Sequence, residues 1–220
     1  HCDMPDFTQE DDPTTADDES QYLADYWALS IMDIEALSWH TSDHNSTDGN
    51  SWWCGDEEIG GYLDSWVQYL DTPSFNVPAG GSLSADMRWG IESFAGVSGV
   101  DGECLNGGPI DGWDQANVQI STDGGLSFMT INGSDPYDFD CGYGTVYNGL
   151  VGLPGWGGNQ MWHNVNFDLS AYAGQDAIIR FAFYSDPAYS TIDDAAIDGF
   201  QVDNILVSGG AFSDSGDDDG

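Results

Sequence analysis

The sequence predicts an all-β protein built as a two-sheet jelly-roll sandwich, and three observations lead to this fold class. Short β-prone runs are broken by Gly, Asp, Asn and Pro, and no long stretch has the 3.6-residue period of a helix. Residues 177–185 partly alternate between apolar and polar side chains, as a strand with one buried face does. Asp123-Gly124-Gly125 separates two of the runs, and glycines supply the positive φ of a tight hairpin turn.

About eight segments are predicted as strands, a number typical of a jelly roll. They are residues 26–39, 66–71, 83–91, 116–121, 126–131, 163–168, 177–185 and 199–207. The loops at 94–113 and 133–160 exceed the usual length of a connection, so we expect metal ions or disulfides to staple them. Outside the sandwich of residues 26–208, residues 1–25 are predicted as an acidic N-terminal arm and residues 209–220 as an acidic linker or tail.

The charge of the chain limits its partners. It carries 39 acidic residues against two arginines and no lysine, which gives a net charge of -37. Nucleic acids and anionic membranes are bound through Lys and Arg, so we exclude both as partners. No apolar run reaches the ~18 residues of a membrane span, so no membrane insertion is expected.

Four cysteines, Cys2, Cys54, Cys104 and Cys141, permit three pairings, and none of them forms a C-x-x-C motif. Zinc binding and thioredoxin-like redox chemistry are therefore poorly supported. An even count in so acidic a chain predicts disulfides formed in an oxidising compartment, extracellular or at the cell surface. We favour Cys104–Cys141 together with Cys2–Cys54.

Asp outnumbers Glu by 32 to 7, and two interpretations compete. A general adaptation of the surface to salty water accounts for most of these residues. In Gly- and Asn-rich loops beside strand ends, however, Asp is the usual ligand of Ca²⁺, since its short side chain converges on one ion from a turn. One loop predicts a calcium site that Asp111 or Asp114 could join. Its acids are Asp186, Asp193, Asp194 and Asp198.

Four motifs in sequence order resemble known domains. SWWCGDEEIGGYLDSWVQYLDTPSFNVPAGGSLSADMRW is followed by VQISTDGGLSFMTI, NFDLSAYAGQDAIIRFAFYSD and DGFQVDNILV, and the resemblance covers roughly residues 26–208. The motifs resemble the non-catalytic jelly-roll domains of secreted bacterial proteins, which include the MAM-like domains after immune-inhibitor-type peptidases, cleaved-adhesin domains and choice-of-anchor domains. The resemblance implies a two-sheet jelly roll with calcium near the sandwich ends, serving adhesion, substrate docking or structure.

The same resemblance implies a calcium ligand on the closing strand, at Asp203. Its family equivalent lies beside the first strand, where Asp33 and Glu35 are two residues apart and share one face. An ion shared by Glu35 and Asp203 would join the first strand to the last. Asp56 and Glu57 could complete that site. The alternative is that these acids only face solvent.

Two of the nine tryptophans, Trp113 and Trp156, lie in Gly-rich loops. Exposed tryptophans stack on sugar rings or on a protein partner, so we predict ligand or partner contact for both. The alternative is that they only pack these loops down. Tryptophans in or beside strands are predicted to pack in the core.

No catalytic pattern stands out in the sequence. G-x-S-x-G, P-loop and H-E-x-x-H motifs are absent, and paired acids are too frequent to single out a pair. A free N-terminal His1 could chelate copper, but an acidic arm follows it where that chemistry requires a strand. We therefore expect a non-catalytic calcium-binding structural or adhesive module.

We expect copies of the chain to associate with one another into a surface filament or sheath. Phe7, Tyr22 and Leu23 of the arm would lie against a neighbouring copy, by strand addition at a sheet edge or on its loops. The alternative function is that of an accessory domain of a larger secreted enzyme, which binds carbohydrate or protein.

Overall fold

In a computed structural model, which describes residues 39–217, the protein consists of two antiparallel β-sheets. The six-stranded sheet has the order β1 (His40–Ser42), β2 (Ser51–Cys54), β10 (Gly199–Val207), β5 (Ser82–Gly90) and β8 (Asn159–Asp168), with β11 (Phe212–Asp214) paired to β10. The five-stranded sheet has the order β3 (Val67–Asp71), β9 (Asp176–Tyr184), β6 (Gln115–Ser121) and β7 (Met129–Thr130), with β4 (Phe75–Asn76) paired to β9. A short helix, α1 (Tyr143–Tyr147), lies between β7 and β8.

The chain crosses between the two sheets in the order of a jelly roll. Four strands of the first sheet are neighbours in the order β2-β10-β5-β8, and four strands of the second in the order β3-β9-β6-β7. Among these eight, consecutive strands change sheets except for β6 and β7, which pair with each other. This connectivity confirms the predicted fold class.

The inner faces of the two sheets form the core. In β5 every second side chain from Leu83 to Trp89 is buried, because successive residues of a strand point to opposite faces. In β9 the side chains of Ile179, Phe181 and Phe183 have no exposed surface. Burying an apolar side chain of this size contributes about 1.5–3 kcal/mol, so these two strands supply much of the stability of the sandwich.

β6 is buried on both faces, although four of its seven side chains are polar. The segment after α1 covers its outer face. Gln115 Nε2 donates to the carbonyl of Leu153, and Asn117 Nδ2 donates to the carbonyl of Pro154. The polar face of β6 is therefore hydrogen-bonded even though solvent does not reach it.

A disulfide joins the two long loops that the sequence predicts to be stapled. Cys104 and Cys141 are bonded, and both pack with Ile110 in a small apolar cluster. This confirms one of the two favoured pairings. Cys54 has no exposed surface and forms no disulfide with another cysteine of residues 39–217, and burial raises the pKa of its thiol. Its favoured partner, Cys2, lies outside the described residues, so that pairing stays a prediction.

Most predicted strands agree with the structure, and two differ in length. Strands β3, β5, β6, β9 and β10 lie within one residue of their predicted ends. Of the predicted strand 126–131 only Met129–Thr130 pairs, because Asp123 accepts hydrogen bonds from Ser121 and Ser127 and holds a longer loop open. The predicted strand 163–168 is longer and begins at residue 159.

The sequence predicts that the chain becomes a linker or tail at residue 209, but the structure differs there. β11 pairs with β10, the indole of Trp52 donates to Asp214, and the backbone N–H of Asn50 donates to Asp217. Residues 209–217 therefore belong to the sandwich.

The predicted arm and the strand predicted at 26–39, except for Trp39, lie outside the described residues. None of the helices in residues 39–217 is long and apolar enough to cross a membrane.

Candidate metal centre

Three carboxylates from distant parts of the sequence converge at one end of the sandwich. Glu92, Asp114 and Asp186 each place an oxygen within 4.8 Å of the other two. Asp114 has no exposed surface, Asp186 is 4% exposed, and Glu92 is partly buried. We call these three residues the acid cluster. In residues 39–217 no other set of three His, Cys, Asp or Glu side chains meets at such distances.

The acid cluster forms because strand ends from both sheets meet there. Glu92 follows β5 of the six-stranded sheet by two residues, and Asp186 follows β9 of the five-stranded sheet by two residues. Asp114 immediately precedes β6, whose first residue pairs with Tyr184 at the end of β9. This register places Asp114 beside Asp186, and the backbone N–H of Asp186 donates to Asp114 Oδ1 at 2.7 Å.

Tyr62 connects the acid cluster to both sheets. Its hydroxyl donates to Asp114 Oδ2 at 2.7 Å and accepts the backbone N–H of Glu92 at 3.1 Å. The ring is fully buried and lies 4.7 Å, centroid to centroid, from the ring of Phe183. Burial, followed by the charge of Asp114, raises the pKa of Tyr62 far above its ordinary value. The phenol therefore stays protonated and remains a hydrogen-bond donor to Asp114.

The carboxylates of the acid cluster resist ionisation. Burial, followed by the charges of Asp186 and Asp64, raises the pKa of Glu92 to about 8. Burial raises the pKa of Asp114 well above its ordinary value, although the hydrogen bond from the backbone of Asp186 lowers it. Burial and the charge of Asp64 raise the pKa of Asp186 as well. Like charges this close repel each other strongly when little water separates them.

No basic side chain of the described residues neutralises the acid cluster. The chain has only two arginines, and both form ion pairs elsewhere. Arg88 contacts Asp198 at 2.7 Å, and Arg180 contacts Asp71 at 2.7 Å. The histidines of residues 39–217 lie beside acids outside the cluster. Neutralisation must therefore come from protons or from a bound cation.

The donor atoms of the acid cluster suit a hard divalent cation. Ca²⁺ takes six to eight oxygen ligands in a flexible geometry, and carboxylates are its usual protein ligands. Among the described residues Glu92 Oε2 is buried and has no hydrogen-bond partner. A buried carboxylate oxygen without a partner is destabilising, so this atom is available to a ligand. The residues present therefore fit calcium.

The structure brings together two of the acids predicted for the loop site. Asp186, which the sequence placed in the loop site, and Asp114, one of the two acids expected to join it, meet in the acid cluster. The predicted Asp193 and Asp194 do not join them. Each of these two carboxylates accepts a backbone N–H from its own loop and stabilises a turn there.

Two further acids predicted for that site also have structural partners. Asp198 forms a bidentate pair with Arg88, with N–O distances of 3.0 and 2.7 Å. Asp111 accepts the backbone N–H of Cys141 at 2.8 Å and so fixes the loop at the disulfide. Neither carboxylate lies in the acid cluster.

Asp203 lies apart from two of the acids expected to share its ion. It pairs with Asp86 across β10 and β5, and burial, followed by the charges of nearby aspartates, raises its pKa to about 6. Asp56 and Glu57 follow the opposite end of β2, beyond the pair that Cys54 makes with β10. The structure therefore does not bring these two acids to Asp203.

The remaining expected residues lie outside the described part of the chain and stay predictions. They are Asp33 and Glu35 of the metal site and Phe7, Tyr22 and Leu23 of the arm.

The prediction of a surface position for Trp156 is wrong. Its side chain is 1% exposed and stacks on Trp89 with ring centroids 5.2 Å apart, because the Gly-rich loop around it folds over β6. Trp113, by contrast, is partly exposed. Its ring meets Tyr143 edge to face at 6.0 Å, and Tyr143 in turn contacts the exposed ring of Tyr147.

Sequence reasoning missed Glu92, although a signal for it was present. Glu92 directly follows the predicted strand 83–91, as Asp186 directly follows the predicted strand 177–185. Strand ends on one side of a sandwich converge, so an acid at each of these positions indicates a shared site. The loop site was predicted from clustered Asp residues, and Glu92 is not part of such a cluster.

No protein-family model matches this chain, and no curated protein is significantly similar to it. The resemblance to secreted jelly-roll domains therefore depends on the quoted motifs. The candidate site depends on its own geometry.

Proposed function

We propose that this chain is a non-catalytic, calcium-dependent module of an extracellular or cell-surface protein, with one Ca²⁺ bound by Glu92, Asp114 and Asp186. The observation that carries the proposal is the convergence of three carboxylates, two buried and one partly buried, that have no basic partner in residues 39–217. The Cys104–Cys141 disulfide supports an oxidising compartment. Extracellular calcium modules work at millimolar calcium, so a site of modest affinity suffices there.

Burial argues against a catalytic role for the acid cluster. Carboxylates with raised pKa values often mark active sites, but a catalytic acid or base must come within hydrogen-bond distance of its substrate. Asp114 has no exposed surface, and Glu92 Oε2 is inaccessible to solvent. A cation can occupy such a position because its binding is coupled to folding.

A bound ion would connect parts of the fold that no strand pairing joins. Glu92 extends from the six-stranded sheet, whereas Asp114 and Asp186 belong to strand ends of the five-stranded sheet. An ion that binds only the folded state stabilises it by about 2.7 kcal/mol at a hundredfold excess over its dissociation constant. Calcium would therefore hold this end of the sandwich closed and order the loops there.

Calorimetric titration of metal-stripped protein with CaCl₂, at pH 8 and constant high salt, tests the proposal. We expect one site, and a rise in melting temperature of about 5–10 °C at saturation. Glu92→Gln removes a ligand charge, and should weaken binding by about tenfold or more. Asp193→Asn is the matched control, because it removes the same charge from an exposed acid in the loop after Asp186.

Two results would refute the calcium site. One is a metal-stripped protein that takes up no calcium while circular dichroism shows it folded. The other is a Glu92→Gln protein that binds calcium as tightly as the Asp193→Asn control.

A second candidate function is the binding of neutral carbohydrate beside the acid cluster. Trp113 directly precedes Asp114, and with Tyr143 and Tyr147 it forms a row of aromatic rings, of which Tyr147 is 46% exposed. Aromatic faces of this kind stack on sugar rings, and a neutral sugar is not repelled by the acidic surface. Trp113→Ala should abolish binding in a screen of neutral glycans. Phe94→Ala, at another exposed aromatic residue, should not.

We also propose that copies of the chain associate through the arm residues Phe7, Tyr22 and Leu23. β3 supports this proposal, because among the described strands it lies at an edge of the five-stranded sheet, and an edge strand can pair with an added strand. Deleting residues 1–25 should leave a folded monomer in sedimentation velocity experiments. Continued assembly of the truncated protein would contradict the arm hypothesis and favour the accessory-domain function.

A further inference from the structure

Two segments of the chain match the acceptor sequence for N-linked glycosylation. They are Asn45-Ser46-Thr47 and Asn132-Gly133-Ser134. The motif requires a hydroxyl residue two positions after the asparagine and any residue except Pro between them. The match is short, so the structural setting of each asparagine must decide whether a glycan could be accommodated.

The setting of Asn132 leaves its amide accessible. Asn132 is exposed in the loop that follows β7, and its side chain makes no hydrogen bond to any residue in 39–217. It borders an open, shallow concavity of about 420 Å³. The lining of this concavity includes Ser82, Asn166 and Asp168, which are polar groups that suit the hydroxyls of a sugar.

Asn45 is also exposed, but its setting differs because both hydrogens of its amide form hydrogen bonds. Asn45 Nδ2 donates to His44 Nε2 at 2.9 Å and to Asp198 Oδ2 at 2.8 Å. Asp198 is 6% exposed and is held in place by Arg88. Glycosylation replaces one amide hydrogen by a sugar carbon. A glycan on Asn45 would therefore break at least one of these bonds and crowd a buried ion pair.

We propose that Asn132 carries an N-linked glycan and that Asn45 does not. In the reaction, Asn132 Nδ2 attacks the anomeric carbon of a lipid-phosphate-linked oligosaccharide, the donor that a membrane oligosaccharyltransferase uses. The new N–C bond replaces the C–O bond to the phosphate, which leaves as the lipid phosphate, and Nδ2 loses one proton. No oxidant or reductant is needed.

The third residue of the motif sets the order of events. In the folded protein Ser134 Oγ accepts the backbone N–H of Asn166 at 3.0 Å, and the backbone N–H of Ser134 donates to the carbonyl of Asn166 at 2.7 Å. A Cβ on Gly133 would lie 2.8 Å from the ring of Phe167, so this segment packs closely on β8. The transferase must read the hydroxyl of Ser134, so it acts while this segment is undocked from β8 but after the hydrogen bonds of Asn45 have formed.

Mass spectrometry of protein secreted from cells with an oligosaccharyltransferase tests the proposal. Glycopeptide analysis should find a sugar on Asn132 and unmodified Asn45. Ser134→Ala removes the acceptor motif and should eliminate the glycan, whereas Ser134→Thr keeps the hydroxyl and should retain it. Thr47→Ala, which removes the other motif, should leave the intact mass unchanged except for the substitution itself.

Three outcomes would overturn the proposal. They are an unmodified Asn132, a change at Asn132 that is deamidation alone, and a glycan that survives Ser134→Ala. A glycan on Asn45 in the secreted protein would overturn the selectivity. Calcium binding does not enter this experiment, so its result is independent of the proposed metal site.

Discussion

Replacing Glu92 by Gln should change the stability of the protein in opposite directions with and without calcium. Without metal, the folded protein holds the proton of Glu92 up to about pH 8, whereas the unfolded chain releases it near 4.5, the ordinary pKa of this group. Between these values the folded state binds more protons than the unfolded state. Stability therefore falls as the pH rises through this window.

The size of this effect follows from the structure. A single group that titrates in this way lowers the free energy of unfolding by up to about 1.4 kcal/mol for each pH unit. Glu92 is only partly buried, so water near the carboxylate reduces the total, and we expect a loss of about 2–3 kcal/mol by pH 8. Asp203, whose pKa is raised to about 6, adds to the slope only at lower pH. The interval from pH 6 to pH 8 therefore isolates the acid cluster.

Urea unfolding of metal-stripped protein at several pH values, at constant high salt, measures the slope. Glu92→Gln should flatten it, so that at pH 8 the variant is more stable than the parent without metal. With saturating calcium the order should reverse, because the variant lacks a ligand. A parent protein whose stability is constant from pH 6 to pH 8 without metal, or a variant with an unchanged slope, would refute this reasoning.

Three other perturbations have expected outcomes. Arg180→Lys should cost about 1–2 kcal/mol in urea unfolding, because Arg180 lies 3.9 Å from the ring of Tyr69 and 3.6 Å from that of Phe128 while pairing with Asp71; a loss within experimental error would contradict the role of this stack. Replacing both disulfide cysteines by Ser should cost about 4 kcal/mol, from the 37-residue separation they close, and an unchanged denaturation midpoint would argue against a stabilising disulfide. Melting temperature should rise steeply between ~0.01 M and ~0.15 M NaCl and then level off, since the net charge is -37; a flat curve would mean that bound ions already neutralise the surface.

The fold could be predicted from the sequence wherever a strand has one buried face. Residues 177–185 alternate, and β9 occupies 176–184. β11 was missed because the sequence around Phe212–Asp214 is short, polar and acidic, and only pairing with β10 makes it a strand. The sequence of so short a segment does not indicate which strand it pairs with.

The candidate site could be predicted only in part, for a different physical reason. Asp114 and Asp186 lie beside the ends of paired strands, so the register of β6 and β9 brings them together. Glu92 comes from the other sheet, and its approach depends on how the two sheets stack. The position of Trp156 was predicted wrongly because a Gly-rich loop is exposed only when it does not pack on the sheet below. Here the loop packs on the outer face of β6 and buries its polar side chains.

The stacked pair of Trp89 and Trp156 gives the protein an internal optical reporter. The two indoles lie 5.2 Å apart with an angle of 25° between their planes, close enough for their electronic transitions to couple. Trp89 belongs to a strand and Trp156 to the loop that covers β6, so the coupling exists only while the loop is docked. A circular dichroism signal from this pair would therefore follow one contact, and could separate the opening of the cover from the unfolding of the sandwich beneath it.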